Sequence, residues 1–521
     1  MGTTAKVEPQ RIPSWVRDVI AGLSVTLILI PQSLAYADLA GVPAHYGLYA
    51  AMLPPIAAAV FASSPYLQTG PVATTSLLAY GALAPLAEVR SAEWIALAAL
   101  LALTVGIIRL LLGMVRAGWV AYLMSHPVLT GFMAAAAILI VAAQLPTALG
   151  TGVAGGSLLG AAVWSLVHPA AWEPESLVLA AATVALILGG TRVHRLFPGV
   201  LLAVVIGFLF STLTSYQGPT VGRLPSGLPP FSLSLPWGSL PQLLLPGLVI
   251  AFVGFAEAAS ISRTYATQER QSWSPDREFV SQGVANLAAG ISGGFPVGGS
   301  FARTSVNRMV GARTRWSGAV TGLGVLLFLP VASVLAPLPR AVLAAIVIAA
   351  VARLIDWRRL VSLLQHSLPQ AAVAWATFLL TLALAPRIDE AIMVGVVLAI
   401  VVHLWRELRM LVRSRYEDGS LYLIPEGVLF FASAPGLHQA LLWELAAHPS
   451  ASRLTIDLSE LGRIDQPGAE VLQAVIAEAT STGLETRLVG IPDHARRILT
   501  NVLGPDSPLL RPDSGAQQRH P

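Results

Sequence analysis

Gly70-Pro71-Val72-Ala73-Thr74-Thr75-Ser76 and, more than two hundred residues later, Phe295-Pro296-Val297-Gly298-Gly299-Ser300 are the stretches on which the fold turns. Each interrupts apolar sequence with a proline and small or polar residues, and each reads as a short helix with the proline at its first position. Proline costs no hydrogen bond there, because its missing N–H would have been unpaired. Both stretches therefore open with free backbone donors and a partial positive charge. Within hydrocarbon that combination suits an anion, and paired interrupted segments in the two halves of a chain point to the binding site of an inverted-repeat secondary transporter. The first expectation is an anion carrier.

Composition agrees. Of 521 residues, 55% are hydrophobic and only 12% charged, more apolar sequence than a soluble domain buries. Apolar runs long enough to cross about 30 Å of hydrocarbon recur until about residue 412, after which ordinary soluble composition takes over. The chain has no cysteine, so disulfides, thiolate metal sites and cysteine nucleophiles are excluded. The start resembles a signal peptide, with Arg11 and Arg17 before an apolar run 19–30 and Ala35-Tyr36-Ala37. It reads instead as a retained span kinked at Pro31, because many hydrophobic segments follow.

The expected spans are 16–37, 43–62, a short 71–87, 94–115, 127–148, 174–190 and 197–215, then 241–262, 279–294, a short 296–310, 316–336, 339–352, 367–385 and 391–412. Seven stand in each half with the short one third, and an odd number inverts the second copy. The loosely patterned segment 150–175 is compatible with a partial or surface helix. Abundant glycine and alanine in the spans suits close helix packing, or reflects membrane-helix composition in general.

Arginine distribution tests this topology, because cytoplasmic loops should be basic. One side collects Lys6, Arg11, Arg17, Arg109, Arg116, Arg192, Arg195, Arg263, Arg270, Arg277, Arg308, Arg313, Arg315, Arg353, Arg358, Arg359, Arg406, Arg409, Arg413 and Arg415; the other holds Arg90, Arg223, Arg340 and Arg387. Both termini are accordingly expected in the cytoplasm. The organisation predicted is an N-terminal segment 1–15, a membrane domain 16–412 with repeats of about 16–215 and 241–412, a soluble domain 417–505, and a disordered tail 506–521. In the soluble part, strands at 421–424, 454–458 and 486–491 alternate with helices at 437–447, 467–480 and 493–502, the pattern of a helix-covered sheet.

Several residues carry the chemistry. Val72 to Thr74 and Val297 to Ser300 are expected to present unpaired N–H groups, with Thr74, Thr75 and Ser76 adding hydroxyls. Gly298 and Gly299 would let a ligand approach the backbone. Arg303 is placed two turns into the second short helix, with Ser300 its i−3 neighbour; it either attracts the anion or snorkels to the cytoplasmic surface. Glu257, within Val253-Gly254-Phe255-Ala256-Glu257, is an intramembrane carboxyl, a candidate proton carrier or a structural bond to the short helix ends. Asp38 is a second titrating group or an interfacial residue. Gln32, just past Pro31, either orients an anion or packs helices.

Ile30-Pro31-Gln32-Ser33-Leu34-Ala35-Tyr36-Ala37, Leu39-Ala40-Gly41-Val42-Pro43, Gly47-Leu48-Tyr49-Ala50, Thr69-Gly70-Pro71 and 293–304 together resemble the signature of the sulfate-permease (SulP) family, and the soluble tail resembles its STAS domain. The resemblance implies an α-helical polytopic membrane protein of fourteen spans, arranged as seven-plus-seven inverted repeats and shared with nucleobase symporters, plus a small α/β STAS domain at 417–505. Spans one to four and eight to eleven would form a core that moves, elevator-like, against a gate, and dimers are common. It makes Gln32, Thr74, Thr75, Gly299, Ser300 and Arg303 substrate-site candidates, and Asp38 and Glu257 proton-coupling candidates. Two positions depart from the family pattern. Ala302 stands where many relatives carry serine. Asp465-Gln466-Pro467-Gly468 replaces a turn whose serine signalling relatives phosphorylate.

The expectation is a cell-membrane secondary active transporter of a small anion, with proton-coupled symport of a dicarboxylate such as fumarate favoured and sulfate, bicarbonate or chloride transport, exchange or a channel as the alternatives. A proton-coupled nucleobase carrier would need no arginine at the site. A membrane-anchored STAS regulator would depend on the turn that is altered here. No nucleophile elbow, phosphate loop or paired histidines mark an enzyme. The partners expected are the anion, protons, the lipid bilayer and a second copy of the chain, with no cofactor, metal or nucleic acid.

Overall fold

A 26-residue helix rises about 39 Å, enough to cross hydrocarbon about 30 Å thick, and the chain opens on one: α1 (Ser14–Leu39), with Pro31 inside it. There follow α2 (His45–Phe61), the two-residue strand β1 (Thr69–Gly70), α3 (Ala73–Leu83), α4 (Ala92–Met114), α5 (His126–Leu149), α6 (Leu158–Val167), α7 (Pro174–Val193) and α8 (Gly199–Leu213). The second series is α9 (Leu240–Glu269), α10 (Pro275–Ile291), β2 (Gly298–Gly299), α11 (Phe301–Val310), α12 (Trp316–Phe328), α13 (Arg340–Val351), α14 (Trp357–His366), α15 (Leu368–Ala383) and α16 (Ile388–Glu407). This computed structural model describes residues 13–510 apart from 123–124, 153–156, 195, 215, 226, 230, 232–233, 353–355, 408–409 and 431. Lys6, Arg11, Arg195, Arg353 and Arg409 of the charge pattern, and most of the proposed tail, lie outside the described residues.

Among the described residues, seven helices are long and apolar enough to cross a membrane. Large apolar side chains stay exposed along them, among them Leu23, Leu27, Leu111, Val178, Leu327 and Val401. Water would not tolerate so broad an apolar surface, but lipid does. With 11 and 10 residues, α3 and α11 rise only about 16 and 15 Å. Each covers about half a bilayer.

Several boundaries differ from the sequence reading. The ninth helix runs to Glu269 rather than ending near 262, and residues 411–412 belong to a strand rather than the last span. α6 occupies part of the loosely patterned 150–175 segment, and α14, which the span pattern did not contain, is amphipathic, burying Leu360 while Trp357, Val361 and Leu364 stay exposed.

Glycine sets the closest helix approaches. A Cβ on Gly106 of α4 would lie 2.7 Å from the Leu287 nitrogen of α10, and one on Gly283 of α10 would lie 2.6 Å from the Leu110 nitrogen of α4. The two backbones therefore touch, as small residues permit where no hydrophobic force drives association. This seam fixes where the polar side chains of α4 and α10 reach. At the crossing of α1 and α2, a Cβ on Gly47 would sit 1.9 Å from the Ser33 carbonyl oxygen. Gly47→Ala is therefore expected to force the helices apart and to lower the yield of folded, detergent-stable protein severalfold, read by size-exclusion chromatography. An unchanged elution profile and yield would refute the contact.

The chain divides into two units between Ala399 and Ile400. The C-terminal unit holds β3 (Leu411–Glu417), β4 (Ser420–Leu429), α17 (Ala434–Ala447), β5 (Arg453–Asp457), β6 (Leu461–Ile464), α18 (Gln466–Ser481), β7 (Glu485–Val489) and α19 (Asp493–Leu503). Its sheet runs β3-β4-β5-β7, with β6 also paired to β4; β3 is antiparallel and the other pairings are parallel. In β5 the alternation of Leu454 and Ile456 with half-exposed neighbours puts one face inward, against Leu472, Val475 and Leu499 of the helices. Asp465, in the altered turn, caps α18 by accepting from the Gly468 N–H at 2.8 Å.

Candidate functional site

Antiparallel pairing joins the two breaks: Thr69 stands opposite Gly299, and Gly70 opposite Gly298. The chains run in opposite directions there, so α3 and α11 leave the junction in opposite senses with their N-termini adjacent. The facing tips that the sequence suggested are present, but their construction differs. Neither proline starts a helix. Pro71 and Pro296 lie in the extended segments, and the N-caps are Val72 and Ser300. The N–H groups of Val297 to Ser300 are also not a free set. That of Val297 donates to Asn286 Oδ1 (2.9 Å), that of Ser300 to the Gln68 carbonyl (3.0 Å), and the two glycines between them form β2. An extended segment satisfies its donors across the pair, which a half-helix start would leave open.

A buried polar frame holds the junction. Asn286 of α10 brackets the Val297 peptide, its Nδ2 donating to the Val297 carbonyl at 3.1 Å. Gln282, one turn earlier, donates to Thr69 Oγ1 at 2.8 Å, and Thr75 donates across the junction to the Pro296 carbonyl at 2.8 Å. Arg109 completes the frame. It is not the loop residue that the charge pattern assumed but a fully buried side chain of α4. It donates to the carbonyls of Ile250 (2.9 Å), Ala251 (3.1 Å) and Val297 (3.1 Å). Gly254 leaves room for it, since a Cβ there would lie 2.5 Å from Arg109 Nη2. The sequence reading missed Arg109, Gln282 and Asn286. The pair at i and i+4 inside an apolar span was the available signal.

Arg303 is different. It lies in the first turn of α11, not two turns in, and it is fully buried rather than snorkelling. Its Nη1 donates to Gln32 Oε1 at 3.3 Å, while Nε and Nη2 are buried without a partner among the described residues. Leaving a buried donor unpaired costs about 1–3 kcal/mol, and more for a charged group. Glu257 of α9 and the buried phenol of Tyr36 lie within electrostatic range of the guanidinium. The Thr74 hydroxyl bonds the Glu257 carboxyl, whose Oε2 has no partner among the described residues. Gln32, Thr74, Glu257 and Arg303 are thus brought together. Ser300 serves as the cap, its hydroxyl accepting from the Arg303 N–H at 3.4 Å.

Three sequence candidates are placed otherwise. The Thr75 hydroxyl is committed to the junction. A Cβ on Gly299 would meet Leu67 Cδ1 at 2.8 Å and Ala258 Cβ at 3.1 Å, so this glycine answers packing of the chain on itself. Asp38 is bonded to Arg90 at 2.8 Å and lines a separate cleft. Ala302 is exposed on α11. A larger cleft of about 580 Å³ opens on Glu257, lined also by His126, Met133, Arg263, Phe301 and Arg359.

The profile of the sulfate permease family matches residues 16–377, well over half the chain. The chain belongs to the sulfate permease family. Residues 413–509 match the STAS domain, so this family member carries a C-terminal STAS domain. It is 37% identical over 383 residues to a probable sulfate transporter of Mycobacterium tuberculosis, covering 70% of this chain and 67% of that protein. It is 32% identical over 437 residues to the chloroplastic sulfate transporter 4.1 of Arabidopsis thaliana, covering 77% of this chain but only 63% of that protein's length. Among solved structures, the fold is similar to that of SLC26A9, with a TM-score of 0.82 at 20% identity over 94% of this chain and 87% of that one. The transmembrane domain of a cyanobacterial bicarbonate transporter, BicA, gives 0.63 at 26% identity, over 75% and 98%. This member is therefore a multi-pass membrane protein of an anion-transporter family, not of an enzyme family.

Proposed function

We propose that this protein is a secondary active transporter that carries a small divalent oxyanion together with a proton. The pair of unpartnered Arg303 nitrogens carries the reading: a buried cation beside two helix N-termini and Gln32 lacks only the acceptors that an anion supplies. Sulfate suits the names of the relatives, and a dicarboxylate such as fumarate would use the same donors. Glu257, facing both the cleft and Arg303, is the group that takes the proton. Substrate enters the 580 Å³ cleft from the end carrying Arg263 and Arg359, which the excess of basic residues assigns to the cytoplasm. Release on the other side would follow movement of α1–α4 and α9–α12, as the two inverted halves of a core, against the remaining helices in a homodimer.

The test is uptake of radiolabelled sulfate, fumarate, bicarbonate and chloride into proteoliposomes, with and without an imposed pH gradient. Gradient-driven accumulation of sulfate or fumarate is expected. Passive chloride dissipation without pH dependence would replace the proposal with a channel or exchanger. In the same assay Glu257→Gln is expected to bind anion but to lose stimulation by the gradient, which should fall from severalfold to about onefold. Full retention of that stimulation would remove Glu257 from the proton path.

A further inference from the structure

Three of the four arginines that the charge pattern assigned to the sparsely basic side converge in space. Arg90, Arg223 and Arg340 line one cleft of about 170 Å³ with Asp38 and His45. It lies at the opposite end of the membrane unit from the cleft that reaches Glu257. Three guanidinium groups face one carboxylate there, so the wall carries an excess of two positive charges.

Both sides of this cleft are built rather than incidental. On one side Arg90 holds a left-handed backbone conformation (φ 65°) that a non-glycine residue adopts at a cost of about 1 kcal/mol. Its N–H is tied to the Gly41 carbonyl at 3.1 Å, and its guanidinium is bonded to Asp38. On the other side the segment before α9 is laid against the start of α13. Thr220 bridges Pro339, the Val221 N–H donates to the Leu338 carbonyl (2.9 Å), and the Arg340 N–H donates to the Pro219 carbonyl (2.9 Å). Arg340 Nε also donates to the Thr220 carbonyl at 2.9 Å, which leaves its remaining N–H groups for the cleft. Arg223 is exposed. The two walls thus come from different groups of helices, α1, α2 and the lead into α4 against α13 and the segment before α9, and among the described residues only Asp38 bonds one of the arginines to an acid.

We propose that Arg90, Arg223 and Arg340 form a second anion site, an admission site for a small divalent oxyanion, in which the Asp38 carboxylate holds Arg90 until an arriving anion displaces it. Two excess positive charges match two negative ones. A low-dielectric cleft of one sign concentrates such ions from solution, and bidentate arginine suits planar or tetrahedral oxygen pairs. The inference rests on the transport reading for its purpose but not for its test.

The absence of cysteine in the chain supplies the test. Ala44, half-buried in the wall of this cleft, is replaced in the full-length protein (Ala44→Cys) and treated in detergent with two thiol-specific methanethiosulfonates, one bearing a sulfonate and one a trimethylammonium. Each rate is normalised to that with a free small thiol. The sulfonate reagent is expected to react about tenfold faster than the cationic one at low ionic strength. The preference should shrink with salt, fall to about twofold or less on adding Arg223→Gln and Arg340→Gln, and be slowed by sulfate more than by chloride of equal ionic strength. Equal rates, a cationic preference, no reaction with either reagent, or a preference that survives the arginine replacements would overturn it. Arg223→Gln alone, at an exposed position, gives a smaller change in the same direction without risk to the fold. Failure of uptake with this preference intact would count against the transport reading only.

Discussion

Arg303→Ala is expected to abolish anion uptake, reducing the initial rate in proteoliposomes about a hundredfold or more. Two charge-assisted hydrogen bonds to a bound anion are worth about 3–6 kcal/mol together, and each 1.4 kcal/mol is about a factor of ten in affinity. The same substitution should leave thermal stability unchanged or slightly raised. Among the described residues, the Arg303 guanidinium makes one framework bond, to Gln32, and buries two nitrogens with none, so its removal relieves a desolvation cost. Loss of function without loss of stability is the signature of a group held for a ligand. Arg303→Lys should retain part of the activity, keeping the charge but not the planar fork. Normal uptake by Arg303→Ala, or a large fall in its melting temperature, would remove Arg303 from the binding site.

The other buried arginine should behave in the opposite way. Arg109 spends its donors on three backbone carbonyls, those of Ile250, Ala251 and Val297. Arg109→Met fills similar volume with an apolar side chain, and leaves those carbonyls to find other partners. The loss of three charge-assisted bonds is expected to cost about 3–5 kcal/mol, the range for breaking a buried charged contact. The melting temperature in detergent should fall by several degrees, with uptake lost alongside. Arg109→Lys should not rescue it, because one ammonium cannot span carbonyls on two segments. A variant as stable as the parent would show that the junction does not depend on this side chain.

These two residues also show how far the sequence could be read. Both are arginines near apolar runs. Arg303 stood out because it follows a proline break and a serine in a stretch with a distinctive pattern. Arg109 lies near the end of a long apolar span, where a basic residue ordinarily marks a loop, and nothing local shows that Gly254 of another helix makes room for it. The half-helices were legible from Pro71 and Pro296, because a break in an apolar run is a local property. Their starting points were not, because the extended pairing of Thr69–Gly70 with Gly298–Gly299 satisfies donors across more than two hundred residues and so displaces the helix starts beyond the prolines. The strands 454–458 and 486–491 were visible from alternation, whereas Leu411–Glu417 is an exposed edge strand and Leu461–Ile464 is only four residues long. Neither length nor pattern distinguishes those from loop.

By itself the sequence determined that this chain lives in a membrane, where it is interrupted, and which family it joins, since apolar run length, proline and a long composite motif are written locally. Only the tertiary structure decided which buried donors are spent and which are spare. Arg109 is satisfied and Arg303 is not, Asp38 belongs with Arg90 and not with Glu257, and Thr75 ties the junction while Thr74 meets the carboxyl. Hydrogen-bond satisfaction is a property of partners that packing supplies from distant segments, and no reading along the chain can count them.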